Sequence, residues 1–149
     1  MSKPIYYLEQ STDGHFFFFE SIGKKIVQKA IGYIPFEENP NIVELVFGDL
    51  NKDNTVDFMN VSDNEDMVLI LSTVIASINE YLADFPTKTI YFRGSSPSRT
   101  RLYRAVISKY SKSNELFYDI FGISENEQAE IFNKEHTYIG YLIRKKHEK

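Results

Sequence analysis

The chain has 149 residues, 42% of them hydrophobic and 15% aromatic, which is enough for one domain with its own core. It contains no cysteine, which excludes disulfides, thiolate zinc sites and cysteine nucleophiles. The net charge of −4 argues against a general nucleic-acid-binding protein. The first residues lack a basic and then apolar signal, and no apolar run reaches membrane length, so we expect a cytoplasmic protein without membrane contact.

The first part of the chain is predicted to form strands separated by turns. A short edge strand at residues 5–8 is followed by an aromatic strand at 15–20 and an alternating strand at 26–36, with a hairpin at Gly23 between the last two. Two more strands are predicted at residues 42–50, with Val43, Leu45 and Phe47 on one face, and at 56–61.

The connection between those two strands resembles a calcium loop, because oxygen-bearing side chains recur at alternate positions from Asp49. Asn54 stands where such a loop has glycine, and Asn60 stands where it has the bidentate acid. Asn and Asp are also the usual residues of hairpin turns. We therefore predict a plain turn and no metal site.

The first long helix is predicted at residues 63–84. Ser62 and Glu65 have the spacing of a capping box, in which each side chain bonds the other's backbone N–H. Apolar residues then recur at helical spacing until Pro86 ends the pattern. We interpret this stripe as the face of a central helix that packs on the sheet.

The second part of the chain begins with a strand at residues 89–92 and a helix at 97–109. A strand at 116–122, a polar loop or short helix at 124–130 and a final strand at 138–144 follow. This order predicts an α+β fold: a single domain over residues 1–149, with a mostly antiparallel twisted sheet and two main helices packed against it.

Charge is distributed unevenly along the chain. Residues 37–66 contain nine acids and one lysine, whereas residues 88–112 contain seven basic residues and no acid. The turn from the strand at 89–92 into its helix lies within the basic segment. Ser96 suits the helix N-cap and Pro97 the first helical position, while Gly94 allows a sharp turn.

Exposed N–H groups and the helix dipole make such a turn favourable for an anion. The candidate anion-binding residues are therefore those of the turn and the basic residues beside it: Arg93, Gly94, Ser95, Ser96, Ser98, Arg99, Arg101 and Arg104. Expected ligands are a nucleotide, a nucleic-acid backbone or an acidic protein surface. The alternative interpretation is ordinary helix capping with a solvated face.

Helical geometry separates these arginines. Arg99 shares a face with Leu102, Tyr103 and Val106, so it is predicted to point inward, where Asp57 or Asp63 is a candidate partner. Arg101 and Arg104 are predicted on the side that faces solvent.

The same turn carries a family resemblance. The sequence from Gly94 to Arg104 resembles the motif Gly-Ser-[Ser/Thr]-Pro-x-Arg-Thr-Arg-Leu-Tyr-Arg of an uncharacterised bacterial family, a domain of unknown function. Segments near Phe47, Val61 and Ser72 agree with it. The resemblance implies no known activity, but family members in small gene pairs suggest one component of a two-gene, toxin–antitoxin-like system.

A second resemblance concerns the order of elements, which is similar to the later half of the GNAT acyltransferases. In that superfamily a glycine-rich basic loop before the first long helix binds coenzyme A pyrophosphate. Here the loop is the acidic segment 62–66. An acyltransferase, or a phosphate-ester enzyme using the arginine turn, is the alternative to a binding protein.

No catalytic set is evident from the sequence. His15, His136 and His147 have no metal-ligand spacing, and no base stands near the turn's serines to activate them. We expect no metal and no cofactor, and the sequence leaves enzymatic activity and oligomeric state open.

Overall fold

The computed structural model describes residues 5–53, 55–57, 66–94, 97–114 and 117–146, without the side chains of residues 56, 57, 98, 113 and 114. In this part of the chain the fold is α+β with two helices, as predicted, and its sheet is mixed. The strands are β1 Glu9–Gln10, β2 Phe16–Ile22, β3 Ile26–Pro35, β4 Ile42–Leu50, β5 Val56–Asp57, β6 Thr89–Arg93, β7 Tyr118–Ile123, β8 Ala129–Ile131 and β9 Gly140–Lys145, and the helices are α1 Met67–Asp84 and α2 Pro97–Asn114. Strands β4 and β6 pair in parallel, whereas the pairs β1–β2, β2–β3, β4–β5, β6–β9, β7–β8 and β7–β9 are antiparallel.

The chain folds into two compact units. One consists of Met1–Ile34 with Leu45–Asp84, and the other of Pro35–Glu44 with Phe85–Lys149. Strand β4 therefore contributes its first residues to the second unit and the remainder to the first.

The strands of the first unit pair in the order β1-β2-β3-β4, and β5 pairs with β4. Strands β2 and β3 form a hairpin in which Phe17 lies opposite Ile31, and both side chains are fully buried. Alternate residues of β2 are buried, as a strand with one core face requires. The middle of β3 is buried on both faces, which is the pattern of an interior strand.

Helix α1 packs on this unit through the predicted stripe. The rings of Tyr33 on β3 and Tyr81 on α1 stack at 4.2 Å between centroids, and the Tyr33 hydroxyl lies 2.8 Å from Ser77 Oγ. Just before the helix, Asp66 Oδ2 accepts hydrogen bonds of 2.5 Å from the hydroxyls of Tyr6 and Ser21. The predicted capping box lies outside the described residues.

Length and composition would allow α1 to cross a membrane, contrary to the expectation that no apolar run would be long enough. Half of this helix is buried inside the protein, including Ile78 and Leu82, which are fully buried. Core helices of soluble domains have the same length and composition, and these contacts are those of a core helix.

The strands of the second unit pair in the order β4-β6-β9-β7-β8. Strand β6 is parallel to the start of β4, with Val43 opposite Ile90, and antiparallel to β9, with Ile90 opposite Ile143. The final strand of the chain therefore inserts between β6 and β7. Helix α2 buries Leu102, Val106 and other residues at spacings of three and four.

Several predicted boundaries differ from the observed ones. Helix α2 continues to Asn114 rather than 109, since no glycine or proline interrupts residues 110–114. The polar segment 124–130 contains the start of a strand, β8, whose exposed residues pair with β7 at the sheet edge. The predicted strand at residues 5–8 is wrong, because β1 is Glu9–Gln10, opposite Phe18 and Phe17.

Candidate functional site

The turn between β6 and α2 is closely packed at its glycine. A Cβ added to Gly94 would overlap the backbone nitrogen and Oγ1 of Thr100, so this position admits no side chain unless the first turn of α2 moves. Ser95 and Ser96 lie outside the described residues, as does the side chain of Ser98. The described part of the predicted site therefore consists of Gly94 and the four arginines.

Arg99 points inward, as its helical position predicted. Its side chain is 6% exposed, and the neighbouring Leu102, Tyr103 and Val106 are buried with it. Burial raises the pKa of Tyr103, and the positive charge of Arg99, followed by a hydrogen bond from its guanidinium, partly offsets that rise. Arg99 thus belongs to the packed base of the turn. The side chains of the candidate partners, Asp57 and Asp63, lie outside the described part of the chain.

Arg93 and Arg101 are the exposed arginines of the turn. The Arg93 side chain is 47% exposed, and its Nη1 lies 3.4 Å from Oε1 of Glu127, which is itself 67% exposed. A hydrogen bond with Tyr91, followed by weaker effects of Glu127, raises the pKa of Arg93 further above its usual value, so it stays charged. Arg101 is exposed on the first turns of α2. Both side chains are exposed to solvent.

Arg104 does not face solvent freely, although its helical position predicted that it would. Its Nη1 donates to the carbonyl oxygen of His136 at 2.8 Å and its Nη2 to that of Lys134 at 2.6 Å. Its guanidinium carbon also lies 5.8 Å from the centroid of the Phe132 ring. The segment between β8 and β9 folds over this side of α2, which a helical projection cannot reveal. Arg104 therefore holds that segment in place.

The structure pairs one histidine that the sequence analysis had set aside. His136 Nδ1 lies 2.5 Å from Glu130 Oε1, and the Tyr138 hydroxyl donates to the same oxygen at 2.7 Å. The hydrogen bond from His136, followed by that from Tyr138, lowers the pKa of Glu130. Spacings of six and two residues, from β8 into the segment that links it to β9, gave no helical or metal-ligand signal in the sequence.

The described residues of the Asp49 loop form a turn. Lys29 Nζ lies 2.5 Å from Asp49 Oδ1, and Asp53 Oδ1 accepts hydrogen bonds from the backbone and hydroxyl of Thr55. The first candidate calcium ligand is therefore paired with a buried lysine. Among the residues that the structure describes, no group of three His, Asp or Glu is arranged to hold a metal ion.

The structure also brings together basic residues that the sequence analysis had treated separately. Lys112 on α2, Lys134 before β9, and Arg144 and Lys146 at the end of the chain line one groove. The sequence showed the basic tail and the basic helix, but it gave no sign that they meet.

Comparison with known proteins agrees with the expectation of a family of unknown function. The chain belongs to a family of unknown function, DUF6934, whose family model matches residues 2–146. The match covers nearly the whole chain and supplies no activity. Searches of curated proteins and of solved structures each returned no match.

Proposed function

We propose that this member of a family of unknown function is a binding protein for a phosphate or another anionic group at the β6–α2 turn. The observation that carries the proposal is the solvent exposure of Arg93 and Arg101 on either side of the start of α2. Residues 88–112 contain no acid, and Glu127, the carboxylate that lies 3.4 Å from Arg93, is 67% exposed and would compete only from solvent. The helix dipole adds positive potential at the same place.

The remaining residues of the predicted site have different roles in this proposal. Gly94 and the buried Arg99 fix the turn, while Ser95, Ser96 and Ser98 would offer hydroxyl and backbone donors. A hydrogen bond to a charged group contributes about 1.5–3 kcal/mol, and the helix terminus adds about 0.3–1 kcal/mol. Two arginines competing with water would therefore hold a small anion with a Kd on the order of millimolar.

An NMR titration tests this assignment. Inorganic pyrophosphate added to the 15N-labelled protein at low ionic strength should shift the amide signals of Gly94, Arg99 and Arg101 along saturable curves. The double substitution Arg93→Gln with Arg101→Gln should abolish those shifts. Removing the same charge elsewhere, through Lys52→Gln with Lys145→Gln, should leave them within about twofold of the original affinity.

Saturable shifts at the turn that persist in the Arg93→Gln and Arg101→Gln protein would contradict the proposal, as would the absence of any shift in the original protein. If pyrophosphate binds as expected, the natural ligand that bears the anionic group belongs to one of three classes: nucleotides, nucleic acids or acidic proteins. The resemblance to a family found in gene pairs makes an acidic partner protein, in a toxin–antitoxin-like system, one such carrier.

A GNAT-like acyltransferase is the second candidate function. It is supported by one observation, the parallel pairing of β4 with β6, which are joined through α1. The acidic segment 62–66 in front of α1 opposes it, since the carboxylates would repel a pyrophosphate. Coenzyme A that shifts the signals of α1 rather than those of the turn would favour the enzyme.

A further inference from the structure

A groove in the second unit lies between the C-terminal half of α2 and the strands β7 to β9. Its volume is about 840 Å³, within the range of about 300–1,000 Å³ that small-molecule sites occupy. Its walls are Ser108, Ser111 and Lys112 of α2 on one side and residues of the three strands and of the segment before β9 on the other. The groove involves none of the residues of the β6–α2 turn.

Four cations from different parts of the chain converge on this groove. Lys112, Lys134 and Lys146 are exposed, and Arg144 is 49% exposed. Among the described lining residues one acid, Asp119, is present, and its Oδ2 accepts a hydrogen bond from Arg144 Nε at 3.2 Å. Bringing like charges together is unfavourable, so this arrangement is suited to an anion that neutralises the excess.

One wall of the groove is apolar and aromatic. Phe121 lies opposite Ile131 in the β7–β8 pair, and Ile131 is 78% exposed although it is a large aliphatic residue. The Arg144 guanidinium carbon lies 5.2 Å from the centroid of the Phe121 ring. Such a surface suits a flat ring that stacks on phenylalanine or on a guanidinium plane.

We infer that this groove binds a nucleotide, with the phosphates on its lysines and the base on Phe121 and Ile131. A bare phosphate would contact only the cations, and an apolar molecule would contact only the apolar side chains, whereas a nucleotide would contact both. The hydroxyls of Ser108 and Ser111 provide donors and acceptors for a sugar or a base edge. A free nucleotide and a nucleotide unit of single-stranded nucleic acid share this chemistry.

Isothermal titration of the full chain at fixed low ionic strength tests the inference with three probes: ATP, tripolyphosphate and an oligo(dT) decamer. We expect ATP to bind about tenfold more tightly than tripolyphosphate, because only ATP supplies a base that stacks. Lys112→Gln with Lys146→Gln should weaken ATP binding at least ~10-fold through the loss of two phosphate contacts. Tighter binding of the decamer than of ATP would assign the natural ligand to single-stranded nucleic acid.

Two control variants separate this site from general charge effects and from the turn. Lys145 neighbours Arg144 and Lys146 on β9 but does not line the groove, so Lys145→Gln with Lys52→Gln should leave ATP binding within about twofold. Arg93→Gln with Arg101→Gln should abolish the pyrophosphate response at the turn and spare ATP binding here. Either proposal can therefore fail while the other stands.

Phe121→Leu isolates the contribution of the base. It should lower the affinity for ATP toward that for tripolyphosphate and leave tripolyphosphate binding unchanged, with circular dichroism confirming the fold. Equal affinities for ATP and tripolyphosphate in the original protein would overturn the inference, as would equal losses in the groove and Lys145 variants. Absence of binding by ATP and by the decamer would also overturn it.

Discussion

Replacing Arg104 by alanine removes the contacts that hold the segment between β8 and β9 against α2. The side chain donates two hydrogen bonds to carbonyl oxygens, of 2.8 and 2.6 Å, and lies against the Phe132 ring. A hydrogen bond with a charged partner contributes about 1.5–3 kcal/mol, and competition from water at this partly exposed position favours the lower values. A cation–π contact at such a position adds about 0.5–1 kcal/mol.

We therefore expect Arg104→Ala to lower the free energy of unfolding by about 3.5–4 kcal/mol in total. At about 2–4 °C per kcal/mol for a chain of this size, the melting temperature should fall by about 7–16 °C. Thermal and urea unfolding followed by circular dichroism measure both quantities. Arg104→Lys should recover only part of the loss, since one ammonium group lacks the planar fork that reaches both carbonyls.

Arg101→Ala is the matched control, one helical turn earlier and on an exposed position. It should change the free energy of unfolding by less than about 0.5 kcal/mol. Equal losses for Arg101→Ala and Arg104→Ala would refute the reasoning, because both arginines would then behave as ordinary surface residues. A stable Arg104→Ala protein would show that the carbonyl contacts contribute nothing net.

Three further predictions concern packing and ionisation. Gly94→Ala should destabilise the protein by about 1–3 kcal/mol in urea unfolding, because the added methyl overlaps the first turn of α2; an unchanged midpoint would mean that the turn relaxes freely. Glu130 should titrate below its usual pKa in carboxyl-detected NMR, and Tyr138→Phe should raise that pKa. Because folding lowers this pKa, the ionised Glu130 stabilises the folded protein above the unfolded-state pKa, and that contribution is lost as pH falls through the folded-state pKa. A Glu130 pKa that does not respond to Tyr138→Phe would argue against the hydrogen bond. Burial, with a smaller effect of nearby negative charge, raises the pKa of Tyr81 to about 12, so ultraviolet titration should show a tyrosine ionising there that Tyr81→Phe removes; no difference between the two proteins would contradict this burial.

Local pattern predicted most of the regular structure. The bounds predicted for β4 match the structure, and Val43, Leu45 and Phe47 form its buried face, because a strand that is buried on one side alternates regardless of what packs on it. The end of α1 was also correct, since the helical pattern stops before Pro86. The prediction failed at the edge of the sheet. Strand β8 is exposed throughout, so its sequence has no hydrophobic alternation that would indicate a strand.

The same limit applies to the candidate site. The inward position of Arg99 follows from its spacing to Leu102 and Val106, and the structure confirms it. The role of Arg104 does not follow from spacing, because its acceptors lie 30 and 32 residues away in the chain. A helical projection shows which residues share a face but not which distant segment covers that face.

The sequence by itself determined the α+β class, the core faces of the strands and helices, and the basic turn at the start of α2, because each depends on the chemistry of residues close together in the chain. The tertiary structure alone decided which cations meet. The insertion of β9 between β6 and β7 places Arg144 and Lys146 in the groove that Lys112 also lines, and the pairing of β8 places Ile131 opposite Phe121. The order of strands in the sheet determines which charged residues lie close together, and no local pattern of residues specifies that order.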